Sequence, residues 1–162
     1  MKIMAMAALL GGSILALGQS GDPSGVHYWS HDDLQKMTTA LAPQIDAHGL
    51  KSQTIVTEGN HRFLISHREG IGQSEYHATE EDIVYVQSGH ASLTYGGKMV
   101  GAQETGPGEQ RGSAIDGGQK KLLGPGDVVA IPAGIPHQFS PVSGEPFNYF
   151  VVKVTEQKAA DK

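Results

Sequence analysis

From residue 52 to residue 154 the chain alternates short apolar runs with turn residues. "SQTIVTEG", "HRFLISHRE", "DIVYVQSG", "ASLTYGG", "KKLLGPGDVVAIPAG" and "FNYFVVKV" are rich in β-branched and aromatic residues, and Gly, Asn and Pro separate them. Such spacing predicts strands of a sandwich or barrel. Within these runs side chains two apart share a face. Phe63, Ile65 and His67 form one such row, and Asp82, Val84 and Val86 another, the latter inward-looking with a carboxylate at its head. Phe139, Tyr149 and Phe150 are expected in the core. Upstream the period changes. Leu34, Met37 and Leu41 fall on one face of a helix, with Ser30 at its N-cap, Asp33 in the capping-box position and Pro43 as its stop. The polar, glycine-rich residues 101–118 read as the longest loop.

The pattern divides the chain into a leader (1–18), a linker with the helix (19–49), a barrel (50–154) and a solvated tail (155–162). "MKIMAMAALLGGSILALGQS" has one basic residue, an apolar stretch and small residues near Gly18, which predicts a cleaved secretory signal. The stretch is shorter than the roughly 20 apolar residues that span a bilayer. The expected location is therefore periplasmic or secreted, with no membrane contact after cleavage.

Composition narrows the chemistry. The 162 residues carry a net charge of −5, and their basic residues are scattered, so no nucleic-acid surface is expected. Cysteine is absent, which removes disulfides, thiol nucleophiles and thiolate metal sites. Any metal must be held by nitrogen and oxygen. There is no nucleophile-elbow G-x-S-x-G and no phosphate-loop spacing.

Two stretches carry candidate chemistry. In "SEYHATEEDIVYVQSGHASL", Glu75 and His77 point to the same side of an extended chain, and Asp82 heads its apolar row. In "GPGDVVAIPAGIPHQ", Pro132 and Pro136 take the chain off its strand just before His137. These spacings resemble the two motifs of the cupin superfamily. Gly126, Pro132, Gly134 and His137 match the second motif, with Pro141 where it carries asparagine. His77, Asp82 and Gly89 fit the first, in which Glu75 replaces a histidine and Asp82 stands for a glutamate.

The resemblance implies an all-β double-stranded β-helix, a jelly-roll-like barrel preceded by one amphipathic helix. It also implies that Glu75, His77, Asp82 and His137 hold a divalent metal, with Mn, Fe, Ni and Zn as candidates. The alternative for those four is a buried hydrogen-bonded cluster without an ion. Glu75, His67 and Arg68 are the catalytic candidates: Glu75 as acid or base, His67 as fifth ligand or base, Arg68 as a clamp for a substrate carboxylate. A satisfied core role for His67 and a surface ion pair of Arg68 with Glu69 or another acid are the plainer readings, and Arg111 could reach the site from a lid. The implied activity is dioxygenase, isomerase or lyase chemistry on a small oxygenated metabolite, in a homodimer. The competing readings are a non-catalytic metabolite- or sugar-binding cupin and a structural dimeric barrel.

Overall fold

The structure, a computed structural model, describes residues 24–142 and 144–156. The expected leader, the start of the linker and most of the expected tail lie outside the described residues. The first element among the described residues is helix α1 (His31–Thr39), and Ser30 caps it. The Ser30 hydroxyl accepts from the Asp33 amide at 3.1 Å and donates to the Asp33 carboxylate at 2.6 Å. A 3-10 turn over Ala42–Gln44, with Pro43 inside it, ends the helical segment.

Thirteen strands follow: β1 (Leu50–Glu58), β2 (His61–Arg68), β3 (Ser74–His77), β4 (Glu80–Ser88), β5 (Ala91–Tyr95), β6 (Lys98–Val100) and β7 (Gln103–Gly106). Then come β8 (Glu109–Gly112), β9 (Ala114–Asp116), β10 (Gln119–Leu123), β11 (Val128–Ile131), β12 (His137–Pro141) and β13 (Phe147–Thr155). All pairings are antiparallel. A five-stranded sheet, β1-β2-β13-β4-β11, faces a six-stranded sheet, β10-β5-β12-β3-β8-β7, and β6 pairs with β9. The architecture is the expected all-β barrel, with one short α-helix among the described residues.

Residues 101–118 do not form a loop. They fold into β7, β8 and β9, and β7 and β8 extend the six-stranded sheet at its edge. Glycines at 106, 108 and 112 make tight connections between strands of three or four residues, too short for an apolar alternation to be read.

The core lies between the two sheets. Leu64, Val84, Val86 and Val151 from one sheet meet Leu93 and Phe139 from the other. Phe139, Phe147 and Tyr149 pack with ring centroids 4.9–5.8 Å apart. A second apolar layer covers the outer face of the five-stranded sheet. There Trp29 packs on Phe63 and Phe150, at 6.0 and 6.4 Å, beside the buried Leu41 and Ile65. Gly89 closes the β4–β5 turn at φ 75°, where a Cβ would also run into the carbonyl of Pro146.

Candidate metal and ligand site

Two rows of polar side chains, one from each sheet, meet at one end of the core. On the six-stranded sheet the register sets His137 beside Glu75, Glu75 beside Arg111, and His77 beside Glu109. On the facing sheet it sets Asp82 beside Lys153, and Lys153 beside Arg62. Below them the same rows turn apolar, through Val84 after Asp82 and Val151 before Lys153. Together they line a cavity of about 630 Å³, large enough for a small metabolite.

Glu75, His77, Asp82 and His137 converge on this cavity. His77 Nε2 lies 3.5 Å from Asp82 Oδ2 and 3.7 Å from Glu75 Oε2, and His137 Nε2 lies 3.6 Å from Asp82 Oδ2. The backbone aims both imidazoles. His77 sits on β3, and the amide of Gly134 donates to its carbonyl at 2.7 Å, tying the proline-flanked turn before His137 to that strand. The Nδ1–H of His77 donates to Glu109 Oε2 at 2.6 Å, and the Nδ1–H of His137 donates to the Ile135 carbonyl at 3.1 Å. Neither acceptor has a proton to give, so each neutral ring keeps its Nε2 lone pair toward the cavity. This is the tautomer that a metal ligand needs.

Two lone pairs facing carboxylate oxygens repel unless a positive charge stands between them. Donors about 2.1 Å from one ion stand roughly 3.0 Å apart at octahedral angles and 3.4 Å at tetrahedral ones. The observed His77–Glu75 spacing of 3.7 Å is close to that, and one donor atom each from Glu75, His77 and His137 lie within 4.8 Å of one another. The donor set fits a divalent ion.

Asp82 is differently engaged. Its Oδ1 accepts from Lys153 Nζ at 2.6 Å, and the same ammonium donates to His77 Nε2 at 2.9 Å. Burial opposes the Asp82 charge, but His77, Lys153 and His137 outweigh it and hold the carboxyl down at about 2. Burial likewise opposes ionisation of Glu75, and His137, Arg111, Arg68 and Lys153 together keep it below the usual carboxylate range. His137 is pushed down, chiefly by burial. His77 is also penalised by burial, yet its contact with Asp82 carries it above the ordinary histidine value.

The other catalytic candidates fall elsewhere. His67 shares its face with Phe63 and Ile65 as expected, but that face looks outward, toward the helix layer, not into the barrel. The second apolar layer buries that row, so its apolar character does not mark the interior. There His67 is held by Asn148 at 2.7 Å and Glu69 at 2.9 Å and cannot reach the cavity. Arg68 faces inward but is 1% exposed, behind the cavity wall. Its Nη2 lies 3.4 Å from both Glu75 Oε1 and the Tyr149 hydroxyl, while Nε and Nη1 have no partner among the described residues. Arg68 thus braces Glu75 and does not present itself to a substrate. Arg111 does line the cavity, from strand β8 rather than from a lid, 3.4 Å from Glu75 and 3.5 Å from Glu109.

Lys153 and Glu109 are the participants that reading the sequence missed. Lys153 extends the inward row of Phe147, Tyr149 and Val151, so a charge on an apolar row was the available signal. Glu109 gave none, because its strand was read as loop.

Fold and site are those of a cupin-type, ligand-binding double-stranded β-helix. The chain belongs to the family of AraC-like ligand binding domains, whose model matches residues 74–161. Among solved structures it is similar to a conserved protein with a double-stranded β-helix domain from Klebsiella pneumoniae (TM-score 0.57, 15% identity, 85% of this chain and 92% of that one). It is also similar to SPY1581 from Streptococcus pyogenes (TM-score 0.51, 19% identity, 82% and 93%). A third is Peruvianin-I, a cysteine peptidase from Thevetia peruviana latex (TM-score 0.52, 14% identity, 85% and 80%). At these identities the likeness shows the fold alone. No curated protein sequence matches the chain significantly.

Proposed function

We propose that this protein is a metal-dependent cupin enzyme acting on a small, oxygenated, anionic metabolite by dioxygenase, isomerase or lyase chemistry. One observation carries the reading: two imidazole Nε2 atoms, their tautomers fixed from behind, face carboxylate oxygens 3.5–3.7 Å away at the mouth of the cavity. Glu75, His77 and His137 would hold the ion, which supplies Lewis-acid polarisation of a bound oxygen or a site for dioxygen.

The substrate's charge follows from the charges that line the cavity and from Arg68 behind its wall. Arg62, Arg68, Arg111 and Lys153 stand against Glu75, Glu80, Asp82 and Glu109, so with neutral histidines the set is balanced. A divalent ion adds two positive charges, which a carboxylate-bearing ligand offsets. Arg111 is placed to orient such a group, since its contacts with Glu75 and Glu109 are long and leave it donors. The Asp82–Lys153 pair places a proton donor beside a proton acceptor within the cavity. The apolar wall of Leu64, Val84, Phe139 and Val151 limits water there.

Export through the leader and pairing into a homodimer remain part of this proposal. N-terminal sequencing of the mature protein and its mass in solution test them. Elemental analysis of purified protein beside a His137→Ala variant tests the metal. Stoichiometric metal in the native protein and its loss in the variant are expected, and equal metal in both would refute the site. A second reading, a non-catalytic binder, is favoured by the Lys153 ammonium, which already supplies a positive charge to Asp82 and His77. Metabolite binding that survives chelation would select it.

A further inference from the structure

Lys153 stands where a cation is needed. Its Nζ is 2.6 Å from Asp82 Oδ1 and 2.9 Å from His77 Nε2, on a side chain only 13% exposed. Because Glu109 takes the Nδ1–H of His77, the nitrogen that accepts from Lys153 is the one whose lone pair a metal would use. One lone pair cannot serve an ammonium and a metal ion at once. The ammonium also has little room to retreat. Among the described residues its one carboxylate ion-pair partner is Asp82; Glu80, two residues before Asp82, is held by Arg62 at 2.7 and 2.8 Å, and Glu75 across the cavity stands 3.4 Å from both Arg68 and Arg111.

We infer that Lys153 is the residue that sets metal affinity, keeping Asp82 out of the ligand set and competing with the ion for His77 Nε2. The inference rests on the metal reading above and sharpens it. The ion is held by Glu75, His77 and His137 alone, the two-histidine, one-carboxylate arrangement with open positions. It is held loosely, because each binding event must displace the ammonium and then tolerate it nearby. An uncharged residue at 153 removes both obstacles and frees Asp82 as a fourth donor.

The test is a Co(II) titration of the full chain at fixed pH, followed by visible absorption and calorimetry, with no substrate present. Lys153→Met is expected to bind at least tenfold tighter than the native protein and to gain absorption intensity as a fourth ligand joins. Lys153→Arg, which keeps the charge, is expected to stay within threefold of native. Equal or weaker binding by Lys153→Met overturns the inference. Should that variant fold poorly with Asp82 unpaired, Asp82→Asn and Asp82→Asn/Lys153→Met make the same comparison without the ion pair. The double variant must then bind tighter than the single one, and equality overturns the inference. His137→Ala separates the two levels: if it binds Co(II) as the native protein does, the metal site itself is refuted. Binding by Lys153→Met but not by native protein supports the role of Lys153 and rejects a resident metal in the native chain.

Discussion

Replacing Asp82 by asparagine in chelator-treated protein isolates what one buried carboxylate contributes to the fold. Its pKa is held down at about 2, against 3.8 for an unperturbed aspartate. A group whose folded pKa is depressed stabilises the native state above its unfolded pKa, and that stabilisation is lost as pH falls through the folded pKa. At 1.36 kcal/mol per unit, the contribution is about 2 kcal/mol at neutral pH, about 1 kcal/mol at pH 3 and well under about 1 kcal/mol at pH 2. Asp82→Asn cannot titrate, so native minus variant stability must shrink by that amount across this window. Other carboxylates titrate in both proteins and largely cancel. Urea unfolding monitored by Trp29 fluorescence at pH 7, 5, 3 and 2 gives the difference directly. Parallel profiles, with a gap that does not narrow below pH 4, would refute the argued role of the Asp82–Lys153 pair.

Glu109→Ala removes the acceptor that fixes the His77 ring, so metal affinity should fall about 10- to 100-fold, and unchanged affinity by calorimetry would contradict that role. Gly89→Ala combines a left-handed backbone with a collision against Pro146, so a loss of at least about 2 kcal/mol is expected in urea midpoints. Ser30→Ala deletes the helix cap and should cost about 1 kcal/mol. It should be seen as faster hydrogen exchange confined to α1, and uniform protection there would count against it.

How much could be read from sequence depended on how each element announces itself. The helix was legible because Ser30, Asp33 and Pro43 are local signals that act within a few residues. The barrel was legible because its long strands alternate, and the glycine and proline spacing around His137 describes a turn whose purpose is local too. The direction in which His67 points was not legible, for a non-local reason: whether a row faces the interior depends on which layer covers the other side, and here Trp29 and Leu41 supply a second one. Lys153 lies 71 residues from Asp82, and only the sheet register brings the two together. Glu109 and Arg111 sit on a four-residue strand among glycines, where no period can establish itself.

The cavity is walled by both sheets, with Glu75, His77 and His137 on one, Asp82 and Lys153 on the other, and Lys153 reaching across to His77. A molecule bound there would act as a rivet between two plates. Because the cavity exists only while the plates are assembled, binding must raise resistance to unfolding in proportion to the logarithm of concentration over Kd. Melting temperature thus becomes an unbiased search tool: panels of divalent ions and small carboxylic acids can be ranked by the shift each produces, before any reaction is known.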